Sequence, residues 1–246
     1  MLLTGLISYW NLDEASGDAV DAHGSNDLTN VSSATYGAAK INNGVILNGS
    51  DQYLTIADGA QSGLDITGNL TLAFWINFSS YNGSTGYMPL GKADFVAADT
   101  RAYYIEFNIS GSNKFDFEAG DGSSSVRQGV SWSPSTGVWY HLAVVYTTAA
   151  GSVKFYVDGV QQGATQTGFP TSIANTSAAF QIGAGLDGAQ SYFINGMIDE
   201  VGVWARALSG AEITALYNSG AGLAYPFGDA PPPTTQHDAI MMAHAF

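Results

Sequence analysis

The chain predicts an all-β fold: a sandwich of two antiparallel sheets, with one short helix near the C-terminus and an extended C-terminal arm. Three observations predict it. Short apolar and aromatic runs alternate with polar residues at a period of two, as in strands buried on one face. Segments rich in Gly, Ser, Thr and Asn separate these runs, and 30 glycines occur in 246 residues, so turn signals recur along the chain. At 46% hydrophobic residues, the chain carries enough apolar mass for one large core.

Taken in order, residues 5–12 (GLISYWNL) form a first strand and residues 13–18 a loop. A second polar loop, DAHGSNDL, spans residues 21–28. Two apolar runs, 44–49 and 51–56, flank Asn48-Gly49-Ser50, a turn signal that predicts a hairpin. Over residues 70–78, Leu70, Leu72, Phe74, Ile76 and Phe78 share one face. Only a short strand, 87–91, is expected between 79 and 102. Tyr103, Ile105, Phe107 and Ile109 then point inward, with Tyr104, Glu106 and Asn108 outward. Residues 114–119 pair with that run as a meander and turn Phe115 and Phe117 inward. Strands over 138–146 and 151–160 follow, the second reversing at Asp158-Gly159, and a further strand covers 179–183.

The closing segment reads as strand, turn and helix. Strict alternation places Met197, Asp199, Val201 and Val203 on one face, and Ile198, Glu200, Gly202 and Trp204 on the other. Ser209 is an N-cap with Glu212 three residues on, a capping box, and Leu208 and Ile213 occupy the staple positions. Gly220 is the expected stop. The acidic pair Asp199-Glu200 inside an apolar strand requires a reason, because a buried carboxylate is costly unless paired, hydrogen-bonded or metal-bound. Two readings stand: an edge strand with solvated acids, or a calcium site.

A formal charge of −14 with only seven Lys and Arg excludes a nucleic-acid partner, which needs clustered cations, and equally an anionic membrane. The absence of cysteine excludes disulfides, thiol catalysis and thiolate metal sites. No run approaches membrane-spanning length. The first residues, MLLTGLISYW, lack the basic and apolar regions of a signal peptide. The expectation is therefore a trimmed chain or a protein that reaches its site without such export, as virion proteins do.

Residues 196–213, GMIDEVGVWARALSGAEI, are similar to the closing signature of laminin-G-like domains in the concanavalin A-like lectin/glucanase superfamily. That signature runs roughly G-x-I-D-E-V-x-[apolar]-[aromatic]-x-R-A-L-S-x-x-E-I. The strands at 70–78, 138–146, 151–160 and 179–183 resemble further family segments, so the likeness extends over about residues 5–220. It implies a jelly-roll sandwich in which Trp139 and His141 are structural. The 21–28 loop resembles the family's D-x-S-G-N-x-N loop, with His23 and Ser25 as departures. The resemblance implies one calcium, held by Asp21 and Asp199 with backbone oxygens near Gly24 and Asn26. Calcium takes roughly six to eight hard oxygens, which a Gly-bearing polar loop supplies.

The superfamily's retaining glycosidases carry two acids at E-x-D-x-E spacing on one strand, which sets the short carboxylate separation of retention. No such triad occurs; Glu106, Asp116 and Glu118 read equally as a solvated strand face. The expectation is a non-catalytic, lectin-like module. Sugar faces stack on aromatic rings, and Tyr104, Trp132 and Tyr192 are the candidates outside the core pattern. The sandwich is assigned to residues 1–227. Residues 228–246 form a Pro-rich linker and an apolar tail, whose Ile240, Met241, Met242 and Phe246 are expected to dock in a protein partner's groove. The setting expected is a virion, with the tail on a capsid or tail protein, or the extracellular space; self-association is left open. The alternatives are a carbohydrate-binding module of an extracellular glycan-degrading enzyme, or a glycosidase.

Overall fold

The computed structural model describes residues 1–81, 86–95, 101–107, 113–187 and 189–228. In chain order the strands begin with β1 (Leu6–Trp10), β2 (Thr29–Val31), β3 (Thr35–Ala38), β4 (Asn43–Asn48), β5 (Tyr53–Ile56), β6 (Leu70–Phe78) and β7 (Tyr87–Ala93). Next come β8 (Arg101–Phe107), β9 (Lys114–Gly120), β10 (Ser125–Ser131), β11 (Trp139–Thr147), β12 (Ser152–Val157) and β13 (Val160–Thr167). The last are β14 (Phe180–Ile182), β15 (Gly185–Asp187), β16 (Ala189–Ser191) and β17 (Asn195–Trp204), followed by the helix α1 (Gly210–Tyr217). The expected positions of Asn108, Ile109, Ile240, Met241, Met242 and Phe246 lie outside the described residues.

Two antiparallel sheets face each other. The first runs β13-β12-β11-β6-β17-β4-β3, with β1 also paired to β17; the second runs β10-β9-β8-β7-β14-β5-β2. Between them lie the alternating apolar residues that the sequence marks. Leu72, Phe74 and Ile76 of β6, Leu142 and Val144 of β11, Ile105 and Phe107 of β8, and Phe115 and Phe117 of β9 are all fully buried. Their rings interlock edge to face, as Phe78 does on Phe107 at 5.7 Å and Phe115 on Phe155 at 5.0 Å. Each such side chain contributes about 1.5–3 kcal/mol by leaving water.

The outer face of the first sheet carries a second apolar layer: Tyr9, Ala73, Val145, Tyr156 and Trp204, covered by Leu208, Ile213 and Leu216. Covering both faces explains why β6 and β11 read as nearly continuous apolar runs. The capping box forms as the sequence specifies, with Ser209 and Glu212 exchanging hydrogen bonds. The helix runs between Ser209 and Asn218 as expected, but Asn218 and not Gly220 stops it: Asn218 adopts the left-handed conformation (φ 48) and its N–H bonds Thr214 O. Gly220 ends only the short 3-10 turn that follows.

Two expectations need correction. Asn48-Gly49-Ser50 makes its turn, with Gly49 at φ 75 and the Asn48 carboxamide accepting from Ser50 N and Asp51 N. Yet no hairpin results: β4 pairs with β3 and β17 in the first sheet, β5 with β14 and β2 in the second. The turn reverses the chain while carrying it across the sandwich. The strict alternation of β17 also fails, because a bulge interrupts its register with β6 between Asp199 and Gly202. Ile198, Val201 and Val203 all join the core, which one extra residue in the strand permits.

Lys92 on β7 is wholly buried. Its ammonium lies 2.6 Å from Asp58 Oδ1 and 3.1 Å from Asp65 Oδ1, and donates to the carbonyls of Thr176 at 2.6 Å and Ala178 at 2.7 Å. Four oxygens from two loops, β5–β6 and β13–β14, thus converge on one cation and close this end of the sandwich. Lys92→Met should cost about 3–5 kcal/mol, the range for removing one partner of a buried pair, read as a lower urea midpoint. An unchanged midpoint would show that the loops close without the ammonium.

Candidate functional site

The inward alternation of β8 and β9 fixes what faces out. With Tyr103, Ile105, Phe115 and Phe117 in the core, Tyr104, Glu106, Asp116 and Glu118 turn to the outer face of the second sheet. The register sets Tyr104 opposite Glu118, Glu106 opposite Asp116, and Arg127 of β10 opposite Glu118. Phe95, beyond β7, and Tyr192, beyond β16, close over this face. Together Phe95, Arg101, Tyr104, Glu106, Glu118, Arg127 and Tyr192 line a cleft of about 180 Å³.

Charge in the cleft is layered. Glu106 is 2% and Glu118 4% exposed, while the Arg127 and Arg101 side chains above them are 43% and 29% exposed. Arg101 Nη1 lies 3.2 Å from Glu118 Oε1, and the Tyr104 hydroxyl donates to the other oxygen. Arg127 Nη1 sits 2.7 Å from Glu106 Oε1. The Arg101 guanidinium also rests over Phe95, 5.2 Å from its centroid. Phe95 meets Tyr104 edge-on at 4.7 Å and Tyr192 at 6.0 Å. Burial pushes the Glu106 carboxyl up to about 8, against the opposing pull of Arg127, with Asp116 and Glu118 adding to the rise. Burial likewise raises Asp116 and the Tyr104 hydroxyl.

Of the three aromatic candidates, Tyr104 and Tyr192 come together here. Trp132 does not: it is half-buried against Phe107 at 5.2 Å, Tyr140 at 5.4 Å and Phe115 at 6.0 Å. Sequence reasoning missed Phe95, Arg101 and Arg127 as site residues. A signal existed, since the chain has only three arginines and two of them, Arg101 and Arg127, meet in this cleft.

The residues expected to hold calcium divide into two groups. Asp21 Oδ1 accepts from the N–H groups of Tyr9, His23 and Gly24 at 3.0, 3.0 and 2.8 Å, and Oδ2 from Asn26 N at 3.0 Å. Asn26 O accepts the Trp10 indole at 2.8 Å. These oxygens are therefore committed to folding the loop. Asp199 lies at the β17 bulge, where Oδ2 accepts from Ile41 N at 2.8 Å and Oδ1 has no hydrogen-bond partner. Beside it Glu200, held at φ 51, accepts from the Tyr9 hydroxyl through Oε2, while Oε1 is unpartnered. Burial pushes Asp199 up to about 8 and Glu200 to about 7. Tyr9 spans the two groups, its N–H on Asp21 and its hydroxyl on Glu200. Among the described residues, no three His, Asp or Glu side chains surround one point in a way that would hold a metal.

Comparison with known proteins adds three findings. The Laminin_G_3 family model, described as concanavalin A-like lectin/glucanases superfamily, matches residues 48–214. The binding domain of Paraclostridial Mosquitocidal Protein 1 superposes with a TM-score of 0.70 at 12% identity, over 89% of this chain and 53% of that one. A botulinum neurotoxin type C structure, titled for cell entry through two ganglioside molecules, gives 0.68 at 16%, over 88% and 51%. The chain thus spans about half the length of these toxin chains. Domain 4 of AbnA, an extracellular arabinanase of Geobacillus stearothermophilus, in complex with arabinotriose, gives 0.62 at 21%, over 85% and 96%. No curated protein is similar enough in sequence to count as a relative.

The raised Glu106 carboxyl has a signed consequence. Between its ordinary 4.5 and about 8, the folded chain keeps a proton that the unfolded chain has released, so this group weakens the fold as pH rises through that window. Glu106→Gln should gain stability relative to wild type with rising pH, by up to about 4 kcal/mol near pH 8. The gap should close toward pH 4.5. Denaturant unfolding across that range measures it, and a gap independent of pH would show the carboxyl to be ionised throughout.

Proposed function

The chain belongs to the concanavalin A-like lectin/glucanase superfamily, and on that footing we propose that it is a non-catalytic, lectin-like module that binds a glycan in the cleft of the second sheet. The observation that carries this reading is the cleft itself. Tyr192 and Phe95, which pack by one side on the outer-face cluster of Met88, Ala93 and Tyr104, line the cleft beside Arg–Glu pairs able to bond hydroxyls. Neither cleft glutamate is placed for glycosidase work: Glu118 is engaged by Tyr104 and Arg101, and Glu106 by Arg127. The similar folds support the same class, since one is titled for ganglioside-dependent entry and another holds arabinotriose.

A second reading, an accessory carbohydrate-binding module of an extracellular glycan-degrading enzyme, draws on one observation. The chain covers 96% of the arabinanase domain, so the two units are of one size. The finer form of the first reading keeps the virion setting, with residues 229–246 as the docking arm. Calcium belongs to the proposal at the β17 bulge alone. There Asp199 Oδ1 and Glu200 Oε1 are unpartnered buried acceptors that would ligate it with backbone or water oxygens, and it would neutralise both acids.

On a glycan array the wild-type chain should bind, and Tyr192→Ala and Arg127→Ala should each weaken binding about tenfold or more. Trp132→Ala should lower the melting temperature and leave affinity unchanged. A wild type that binds nothing, or cleft variants that bind as tightly as it does, would reject the reading. For calcium, EDTA should lower the melting temperature of wild type by several degrees and leave Asp199→Asn unaffected, as expected for a ligand bound only by the folded state. A wild type indifferent to both EDTA and added calcium would discard the metal.

A further inference from the structure

Two polar atoms of cleft-lining residues are buried without a hydrogen bond: Arg101 Nε and Glu106 Oε1. One is a donor and the other an acceptor. Arg127 Nη1 approaches Glu106 Oε1 to 2.7 Å as an ion pair, and that oxygen makes no well-aligned hydrogen bond. Buried groups left this way are uncommon in folded proteins and call for a partner. What completes the cleft must therefore accept at one point and donate at another.

We propose that the cleft takes one neutral, polyhydroxylated sugar unit, with Arg101 Nε donating to one ligand oxygen and a neighbouring hydroxyl donating to Glu106 Oε1. This rests on the glycan reading above and narrows it to a chemical class. A hydroxyl both donates and accepts, so two adjacent hydroxyls satisfy both atoms. The carboxylate of an acidic sugar only accepts; it would answer Arg101, offer no donor to Glu106 Oε1, and oppose Glu118 and Asp116. The ammonium of an amino sugar only donates; it would answer Glu106 and oppose the two guanidiniums.

Charge counting leads to the same class. Even while Glu106 keeps its proton at neutral pH, Arg101 and Arg127 stand against Glu118 and Asp116, so the site holds no surplus of positive charge to reward an anion. At longer range, a chain of formal charge −14 repels anions from every direction. Size sets the number of units. About 180 Å³ is below the roughly 300–1,000 Å³ of drug-sized sites, which suits one ring with its C–H face on Tyr192 or Phe95.

The test uses matched ligands that differ only at one carbon: methyl glucoside against methyl glucuronide, and methyl galactoside against methyl galacturonide. Glucosamine, methyl xyloside and methyl arabinofuranoside complete the panel. Binding to the full chain is measured by calorimetry and ligand-observed NMR at neutral pH. Within any pair that binds, the neutral member should bind at least tenfold more tightly. Arg101→Lys, which removes Nε as a donor, should cost it about tenfold with circular dichroism unchanged. An acidic or amino sugar that binds as tightly as its neutral partner, and loses affinity in Arg101→Lys, would overturn the class and leave the glycan reading standing. Neutral binding indifferent to both Arg101→Lys and Tyr192→Ala would place the sugar elsewhere and overturn this inference. No binding by any member of the panel or of a glycan array would remove the glycan reading and this inference together.

Discussion

Along one edge β17 pairs with β6 from Gly196 to Trp204; along the other it serves two partners, β4 up to Ile198 and β1 from Val201 onward. The bulge at Asp199 and Glu200 falls where the partner changes. An unbroken strand would present one continuous edge to one neighbour; the extra residue lets β4 leave and β1 enter. It also brings Ile198, Val201 and Val203 onto the core side together, which strict alternation forbids. Gly202 completes the arrangement, because a Cβ there would meet the Trp204 ring at 2.4 Å and the Tyr9 ring at 3.0 Å. The N-terminal strand, the helix and the segment carrying Tyr225 and Phe227 all assemble on this side, with Tyr9 stacked on Tyr225 at 5.3 Å and edge-on to Phe227 at 5.0 Å.

The bulge has an electrostatic cost that no cation among the described residues offsets. Cations are few, and several stand where acids are buried or partly buried. Lys92 meets Asp58 and Asp65, Arg101 meets Glu118, Arg127 meets Glu106, and Arg206 meets Glu212. Asp199 and Glu200 have no such partner among the described residues. Their relief comes from Ile41 N, the Tyr9 hydroxyl and the Tyr225 backbone, and burial still raises both acids. This contrast is why an external cation, if the chain takes one, belongs at the bulge and not at the Asp21 loop. There four backbone N–H groups already surround the carboxylate.

Local chemistry was legible in the sequence wherever it decides the structure alone. The Ser209–Glu212 capping box, the Asp158-Gly159 reversal with both residues at positive φ, and the inward faces of β6, β8 and β9 follow from short-range rules. Partner choice was not legible. Asn48-Gly49 specifies a reversal, but whether the two arms then pair depends on strands far away in sequence. The bulge escaped for a related reason: Asp199 and Glu200 fit a period of two when read alone, and only β1 and β4 competing for one edge breaks it. Within the site, Tyr104 and Tyr192 were legible as aromatics outside the core pattern. Trp132 passes the same test yet packs on Phe107, because an irregular segment beside the sheet folds back onto its edge.

The cleft and the core are two readings of one register. Every outward residue of β8 and β9 is outward because its neighbours are held inward, so the hydrophobic core orients the polar site without touching it. A slip of one residue in the β8–β9 pairing would exchange Tyr104 and Glu106 for Tyr103 and Ile105 on the outer face and drive a carboxylate into the core. The same apolar burial that stabilises the sandwich therefore specifies the site's geometry. The arginines complete it from outside: they are the exposed layer over buried glutamates, positioned by charge and free to turn their remaining N–H groups toward a ligand. In the proposed glycan-binding role, the register supplies the fixed platform, while the buried Arg101 Nε and Glu106 Oε1 become reachable only as the more exposed guanidiniums turn aside.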